Sequence, residues 1–459
     1  MADQPQPAEH ESLRTILEEE KREFAPPASR ESKLALAVRA LRHRNFQLFF
    51  GGQLISLVGT WMQTIAQAWL VYRMTNSALL LGVVGFASQI PVFIAAPVGG
   101  IVADRCNRQR VVIGTQISSM ILAGILAALT LSHRVQVWQI MVLAAGLGIV
   151  NGFDIPARQA FLIDMVGRED LMNAIALNSS MFNGARIIGP AIAGILVASI
   201  GEGWCFFANA VSYLAVIAGL LLMRIERPGT LATRGSPLEN IIEGFAFARN
   251  TGPIRAILLL LGLVSFVGMP YTVLMPIFAD KVLHGGARGL GILMCATGIG
   301  ALLGAASLAA RVGVRGLGKL IAICAGGFGL SLILFSSSRI FWLSTLLLVP
   351  VGFFMMVQMA ASNTLIQAMV PDELRGRVMA VYSMMFMGMA PLGALSAGAM
   401  AHPLGAPWTV GLGGIACIAG AVLFGTHLPS IRREARELVL AQGMAAGTPA
   451  EGMTSRGLS

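Results

Sequence analysis

Hydrophobic positions in this chain gather into long runs, and charged residues are confined to the short stretches between them. Between Arg44 and Arg73 stand 28 consecutive uncharged residues, and roughly 20 suffice for an α-helix to cross a bilayer. Arg110 to Arg134 and Glu202 to Arg224 repeat the pattern. Twelve spans are read in this way: Phe46 to Tyr72, Ala78 to Val102, Val111 to Leu131, Val137 to Asp164, Ala174 to Ile200, Trp204 to Met223, Ile254 to Phe278, Leu290 to Ala310, Leu320 to Phe335, Ile340 to Gln367, Val378 to Met400 and Trp408 to Thr426. In hydrocarbon every backbone amide must be satisfied within its own segment, so the spans are predicted to be helices and the protein an all-α membrane protein.

The longest internal connection is charged, carries Pro228, Gly229 and Pro237, and falls midway through the spans. It predicts a division into a tail at 1–45, a six-helix bundle at 46–223, a central loop at 224–253, a second bundle at 254–426 and a tail at 427–459. Within the loop, Ile241 to Ala248 reads as a short amphipathic helix on the membrane surface. Met165, Val166, Gly184, Ala193 and Gly194 recur 204 positions later as Met369, Val370, Gly388, Ala397 and Gly398. Two pseudo-symmetric six-helix bundles produce such a repeat, as does chance. The acidic stretch Met1 to Glu20 lacks the apolar core of a signal peptide, and the charge run Glu18 to Arg22 is expected in a solvated tail.

Composition removes the other broad classes. With 55% hydrophobic and 12% charged residues and a mean hydropathy of +0.72, the chain carries more apolar surface than a soluble domain can hide. A net charge of +10 is also found in nucleic-acid binders, but here the basic residues sit in short loops between spans, so no nucleic-acid partner is expected. Lys and Arg concentrate in the loops on the side of the two termini, which places both termini in the cytoplasm of an inner-membrane protein. Cys106, Cys205, Cys295, Cys324 and Cys417 show no CxxC spacing, so neither a disulfide framework nor a zinc site is expected. His10, His43, His133, His284, His402 and His427 all fall in predicted tails or loops, which leaves no histidine relay or metal site within the membrane. Gly313 to Lys319 fits G-x4-G-K, but Leu320 stands where a phosphate loop needs Ser or Thr, and no strand precedes it. No cofactor and no catalytic residue is expected.

Three motifs carry the chemistry. The loop after span 2 reads Gly100-Ile-Val-Ala-Asp104-Arg105-Cys-Asn107-Arg108-Gln-Arg110. An acid among the bases can face the positive end of one helix while Arg108 reaches a carboxylate on another, with Asp164 at the end of span 4 grouped in the same latch. The bland alternative is a set of positive-inside anchors. In span 5, Asn183-Gly-Ala-Arg186-Ile-Ile-Gly189-Pro190-Ala-Ile-Ala193-Gly194 combines small residues, which let helices approach closely, with a proline that frees the Arg186 carbonyl. Ordinary close packing explains the small residues equally, but an arginine at mid-helix costs about 2.5–3.5 kcal/mol to insert and demands a cavity or partner. Span 4 offers Asp154 at a similar depth, four residues before Arg158 and two before Pro156, which opens the helical ladder. Asp154, Arg158, Arg186 and Asn183 are therefore the transport and proton-coupling candidates. A static Asp154–Arg158 pair that only stiffens the helix remains the alternative. The methionines at 355, 356 and 359 and at 384, 385, 387 and 389 form a soft cluster suited either to a bulky apolar cargo or to packing.

The loop motif resembles the signature of the major facilitator superfamily, with Asn107 in place of its usual glycine, a change attributed to the tolerance of both residues for left-handed geometry. The Arg186 to Gly194 segment resembles the fifth-helix signature of exporters and antiporters in that superfamily, one glycine being replaced by Ala193. Together with Asn151 to Phe161 and Pro371-Asp-Glu373-Leu-Arg375-Gly376-Arg377, these stretches are similar to the enterobactin-exporter-like branch, over about Leu41 to Thr426. The resemblance implies a major facilitator fold and efflux of a small amphiphilic molecule, driven by an ion gradient and expected to use protons. The arginine that other drug/proton antiporters carry in span 4 corresponds to Ala144, so coupling cannot use it. An importer of the same fold and a membrane enzyme are the rival classes. The expected partners are the substrate and the bilayer, with the protein acting as a monomer. Asp104→Asn is expected to reduce transport severalfold at unchanged membrane insertion, measured at matched expression.

Overall fold

The computed structural model describes residues 39–224 and 237–430 apart from 312 and 315, together with 433, 434 and 438. The terminal tails before 39, most of the chain after 430 and loop residues 225–236 lie outside the described residues. Among the described residues, twelve helices are long and apolar enough to cross a membrane: α1 (Arg44–Thr75), α2 (Ala78–Arg105), α3 (Arg108–Leu131), α4 (Val137–Val166), α5 (Leu171–Ile200), α6 (Glu202–Leu222), α7 (Gly252–Val282), α8 (Gly286–Ala309), α9 (Leu317–Ser337), α10 (Phe341–Met369), α11 (Asp372–Leu404) and α12 (Ala406–Thr426). No strand occurs among the described residues. Most helices outrun the expected spans by a turn because their ends protrude from the apolar layer. Thus α11 starts at Asp372, directly after Pro371, with Asp372 and Glu373 in its first turn, a start favoured by the helix dipole.

The even-numbered helices all begin on the face opposite the termini. Four of them carry an exposed tryptophan in the first turn: Trp138, Trp204, Trp342 and Trp408. These four rings form an aromatic belt that marks that membrane boundary, here called the far face. His402 falls inside the last turn of α11 rather than in a loop.

The two halves repeat one packing scheme. In the first, α2 lies on α4, where a Cβ on Gly99 would strike the Gly152 carbonyl oxygen; in the second, α8 lies on α10, where one on Gly300 would strike the Val349 carbonyl oxygen. Contacts between the halves follow the same symmetry. A methyl on Gly194 of α5 would stand 3.0 Å from the Cα of Gly291 in α8, and one on Gly82 of α2 would stand 3.0 Å from the Cα of Gly398 in α11. Gly194 and Gly398 are the glycines related by the internal repeat.

Both pairs lie toward the far face, where one buried core runs through both halves, from Leu70 and Tyr72 of α1 to Tyr271 and Phe278 of α7. Toward the terminus face the first half keeps a separate core of its own, built on Phe46, Phe49, Phe161, Met165 and Leu220. The bundles are thus sealed together on the far side and diverge toward the termini. Tyr72 fastens the seal by donating its hydroxyl to Asp280 Oδ2 at 2.8 Å, and Lys281 Nζ lies 6.0 Å from the centre of the Tyr72 ring. Beside it, Arg73 at the end of α1 grips the buried Glu202 at the start of α6 through both carboxylate oxygens, each at 3.0 Å.

A helix at Pro237–Asn250 occupies the central connection. It is longer than the expected Ile241 to Ala248 and is fastened to the start of α11 as well as exposing Ile242 and Phe245. Glu243 pairs with Arg377, and a Cβ on Gly244 would stand 2.6 Å from the Arg377 carbonyl oxygen. Three π-helical turns, invisible to hydropathy, break the regular helices. Helix α7 contains π-helical turns at Val264–Gly268 and Phe278–Val282, and α11 one at Met384–Gly388.

Gly398→Leu is expected to wedge the α2–α11 contact open and separate the far rims of the bundles. Spin labels on cysteines replacing His133 and Arg339 should report a distance lengthened by several ångströms.

Candidate functional site

Asp154 sits inside the first bundle among α3, α4 and α6, almost fully buried. Its Oδ1 accepts from Thr115 Oγ1 and from Gln116 Nε2, both at 2.8 Å, and its Oδ2 lies 3.3 Å from Arg158 Nε. Three donors thus compensate a charge that burial alone would penalise heavily. The polar core continues past Ser119 and Tyr213 to α1, where the Tyr213 hydroxyl lies 3.4 Å from Thr60 Oγ1. Asn209 Nδ2 donates to Gln63 Oε1 at 2.7 Å. Sequence reading identified Asp154 and Arg158 but not this supporting set, since single Thr, Gln and Asn residues carry no spacing signal. The carbonyl freed by Pro156 belongs to Gly152 and is covered by Gly99 of α2.

The loop motif forms a second cluster at the terminus face. Arg108 Nη1 lies 3.0 and 3.2 Å from the two oxygens of Asp164, and also donates to the Ala160 carbonyl at 3.3 Å, while its Nε donates to the Ala103 carbonyl at 3.2 Å. One guanidinium therefore ties the end of α2 and the start of α3 to the end of α4. Asp104 is half-buried beside it, and Arg105 is exposed. Two details differ from the sequence reading. Asn107 is extended (φ −66°), not left-handed, and caps α3 by accepting from the Arg110 amide at 3.1 Å, a role glycine performs less well. A Cβ on Gly100 would meet nothing, whereas Gly99 is the glycine in close helix contact. Sequence reading also missed Asp170, which accepts from Arg39 Nε at 2.8 Å and bonds His43 Nε2 at 2.7 Å, fastening the entry of α1 to the α4–α5 turn.

Arg186 stands near mid-membrane on α5, between the bundles rather than inside one. Its guanidinium carbon lies 5.8 Å from the centre of the Trp61 ring on α1, and it faces the buried Tyr271 of α7. No described carboxylate pairs with it: of the surroundings expected for it, a carboxylate partner is not found among the described residues, and Asp154, the acid nearest in depth, is held elsewhere. Depth along two helices does not fix the direction in which side chains point, and Asp154 faces α3. Asn183 is buried and turns back to donate to the Ser179 carbonyl at 2.9 Å, so it reaches neither charge. Gly189 admits the Trp61 side chain, Gly194 meets α8, and the Arg186 carbonyl freed by Pro190 lies 3.3 Å from a Cβ built on Gly298 of α8. The methionine cluster is mostly packing: Met355 is buried, and the Met385 sulfur lies 3.5 Å from a Cβ built on Gly262 of α7.

A family model described as transmembrane secretion effector matches residues 35–446. The chain belongs to this family of major facilitator transporters. Among relatives of this family member, the staphyloferrin A transporter of Staphylococcus aureus is 29% identical over 383 residues, 82% of this chain and 94% of that one. The multidrug efflux pump Tap of Mycolicibacterium fortuitum is 28% identical over 76% of this chain and 87% of its own. The enterobactin exporter EntS of Shigella boydii is 26% identical over 81% and 89%. Of solved structures, the nucleoside transporter NupG superposes with a TM-score of 0.68 at 13% identity, covering 84% of this chain and 98% of that one. A bacterial homologue of the human lysosomal transporter Spinster gives 0.58 at 16% identity over 90% and 99%. The fold is that of the major facilitator transporters, and the family member is a multi-pass inner-membrane protein.

Arg108→Ala is expected to destabilise the first bundle by about 2–3 kcal/mol, because Asp164 is left buried without its cation. In a double-mutant cycle of thermal unfolding, Arg108→Ala and Asp164→Ala should couple by more than about 1 kcal/mol.

Proposed function

We propose that the protein exports a small amphiphilic molecule, siderophore-like or drug-like, by proton-coupled alternating access, as a monomer with both termini in the cytoplasm. The observation that carries the reading is the asymmetric contact between the bundles, with a core shared on the far side and divided on the terminus side. With the termini cytoplasmic, this geometry offers the central surface to the cytoplasm, the side on which an exporter loads. The names of the related multidrug efflux pump and enterobactin exporter support that direction.

Asp154 is the proposed proton carrier. It is the one carboxylate held deep within the described spans, since Asp164 lies at the terminus end of α4 and Asp280 at the far end of α7. A carrier must release its proton on one side and regain it on the other, which requires its surroundings to change with state. The donors on α3 and Arg158 on α4 provide such a difference if the helices shift. One proton moving through 100 mV releases about 2.3 kcal/mol, enough for a roughly fifty-fold gradient of a neutral cargo.

Deleting the gene is expected to lower the extracellular level of the cargo severalfold and to raise it inside the cell, in an untargeted comparison of metabolites with the parent strain. An uncoupler should mimic the deletion. Asp154→Asn should abolish uphill transport and leave downhill exchange. Accumulation of the compound outside deletion cells would mean import, and uncoupler-sensitive uphill transport by Asp154→Asn would place coupling elsewhere.

A further inference from the structure

Three observations meet at the middle of the membrane, on helices from both bundles. Arg186 of α5 has no described carboxylate within pairing distance, although an arginine at this depth is costly without an anion. Tyr271 of α7, which faces it, is fully buried, and its hydroxyl makes no hydrogen bond of normal geometry, Thr297 of α8 being its polar neighbour. Trp61 of α1 offers its ring to the guanidinium at 5.8 Å and meets Phe182 edge-on at 5.6 Å. Arg186, Trp61 and Phe182 retain exposed surface, whereas the Tyr271 hydroxyl is covered in this state.

We propose that Arg186 and Tyr271 bind a carboxylate or comparable oxyanion of the cargo, and that Trp61 and Phe182 receive the aromatic or apolar body attached to it. The assignment rests on the reading of the protein as a small-molecule transporter. Its chemistry follows from the donor set. Arg186 supplies a fixed cation with spare N–H donors, Tyr271 supplies one O–H, and the aromatic pair supplies a flat apolar wall. An anion here completes both unsatisfied groups at once. A neutral molecule leaves the cation uncompensated, and a cationic one is repelled. The proline at 190 contributes by leaving the Arg186 carbonyl free of its helical bond where α8 presses on α5. Because α5 and α1 belong to one bundle and α7 to the other, the same anion contacts both bodies that must move during transport.

Full-length protein in lipid nanodiscs, titrated with 1-naphthoate and its neutral isostere 1-naphthamide, tests the assignment. The wild type is expected to bind naphthoate at least tenfold more tightly than naphthamide. Arg186→Gln should equalise the two by weakening naphthoate alone, and Tyr271→Phe should cut the preference about threefold at unchanged naphthamide affinity. Naphthoate binding no tighter than naphthamide, or not at all, overturns the assignment. So does an Arg186→Gln protein that keeps the preference. If that variant does not fold, Tyr271→Phe with an undiminished preference has the same force. Loss of the anion preference with efflux intact sinks this assignment alone, whereas absence of efflux with the preference intact sinks the exporter reading.

Discussion

A lipid interior offers no hydrogen bonds, and in this molecule that constraint shapes even the places where helices bend. Each proline inside a span strands the carbonyl four residues before it. Three of these carbonyls are met by a glycine on a facing helix: Gly152 by Gly99, Phe266 by Gly393, and Arg186 by Gly298. Only a residue without a Cβ brings its Cα hydrogens that close to a carbonyl oxygen, a weak but favourable contact. Proline on one helix and glycine on its neighbour thus form a single device. It fixes which helix lies against α4, α5 and α7 at the prolines.

That device positions the chemistry. Pro156 follows Asp154 by two residues, and the carboxylate meets Thr115 and Gln116 while the back of the helix is held against α2. Pro190 follows Arg186 by one turn, and the guanidinium stands between the bundles. Two charged residues at similar depths therefore serve different compartments of the protein, one closed within a bundle and one at the junction.

The twelve helices, their pairing into halves and the charged positions were legible in the sequence because each depends on a local quantity: run length, loop charge, or a residue type too costly to bury without reason. Contacts were not legible in the same measure. The link from Arg108 to Asp164 spans 56 residues and follows from a shared motif, whereas that from Tyr72 to Asp280 spans 208 and has no motif to announce it. Asn107 shows the opposite error, since a correct residue was given the wrong reason: capping, not backbone freedom, suits it to its place. The π-helical turns of α7 and α11 escaped because a single inserted residue leaves apolar run length unchanged.

The two glycine pairs at Gly194 with Gly291 and Gly82 with Gly398 have a mechanical consequence. A rigid body held to another at two points keeps one freedom, rotation about the line through them. Backbones in direct contact cannot be pushed closer, and the seal around them resists their being drawn apart. Relative motion of the halves is thereby reduced from six coordinates to one. A cargo that biases this single angle governs the whole cycle, without any chain of side chains carrying a signal across the membrane.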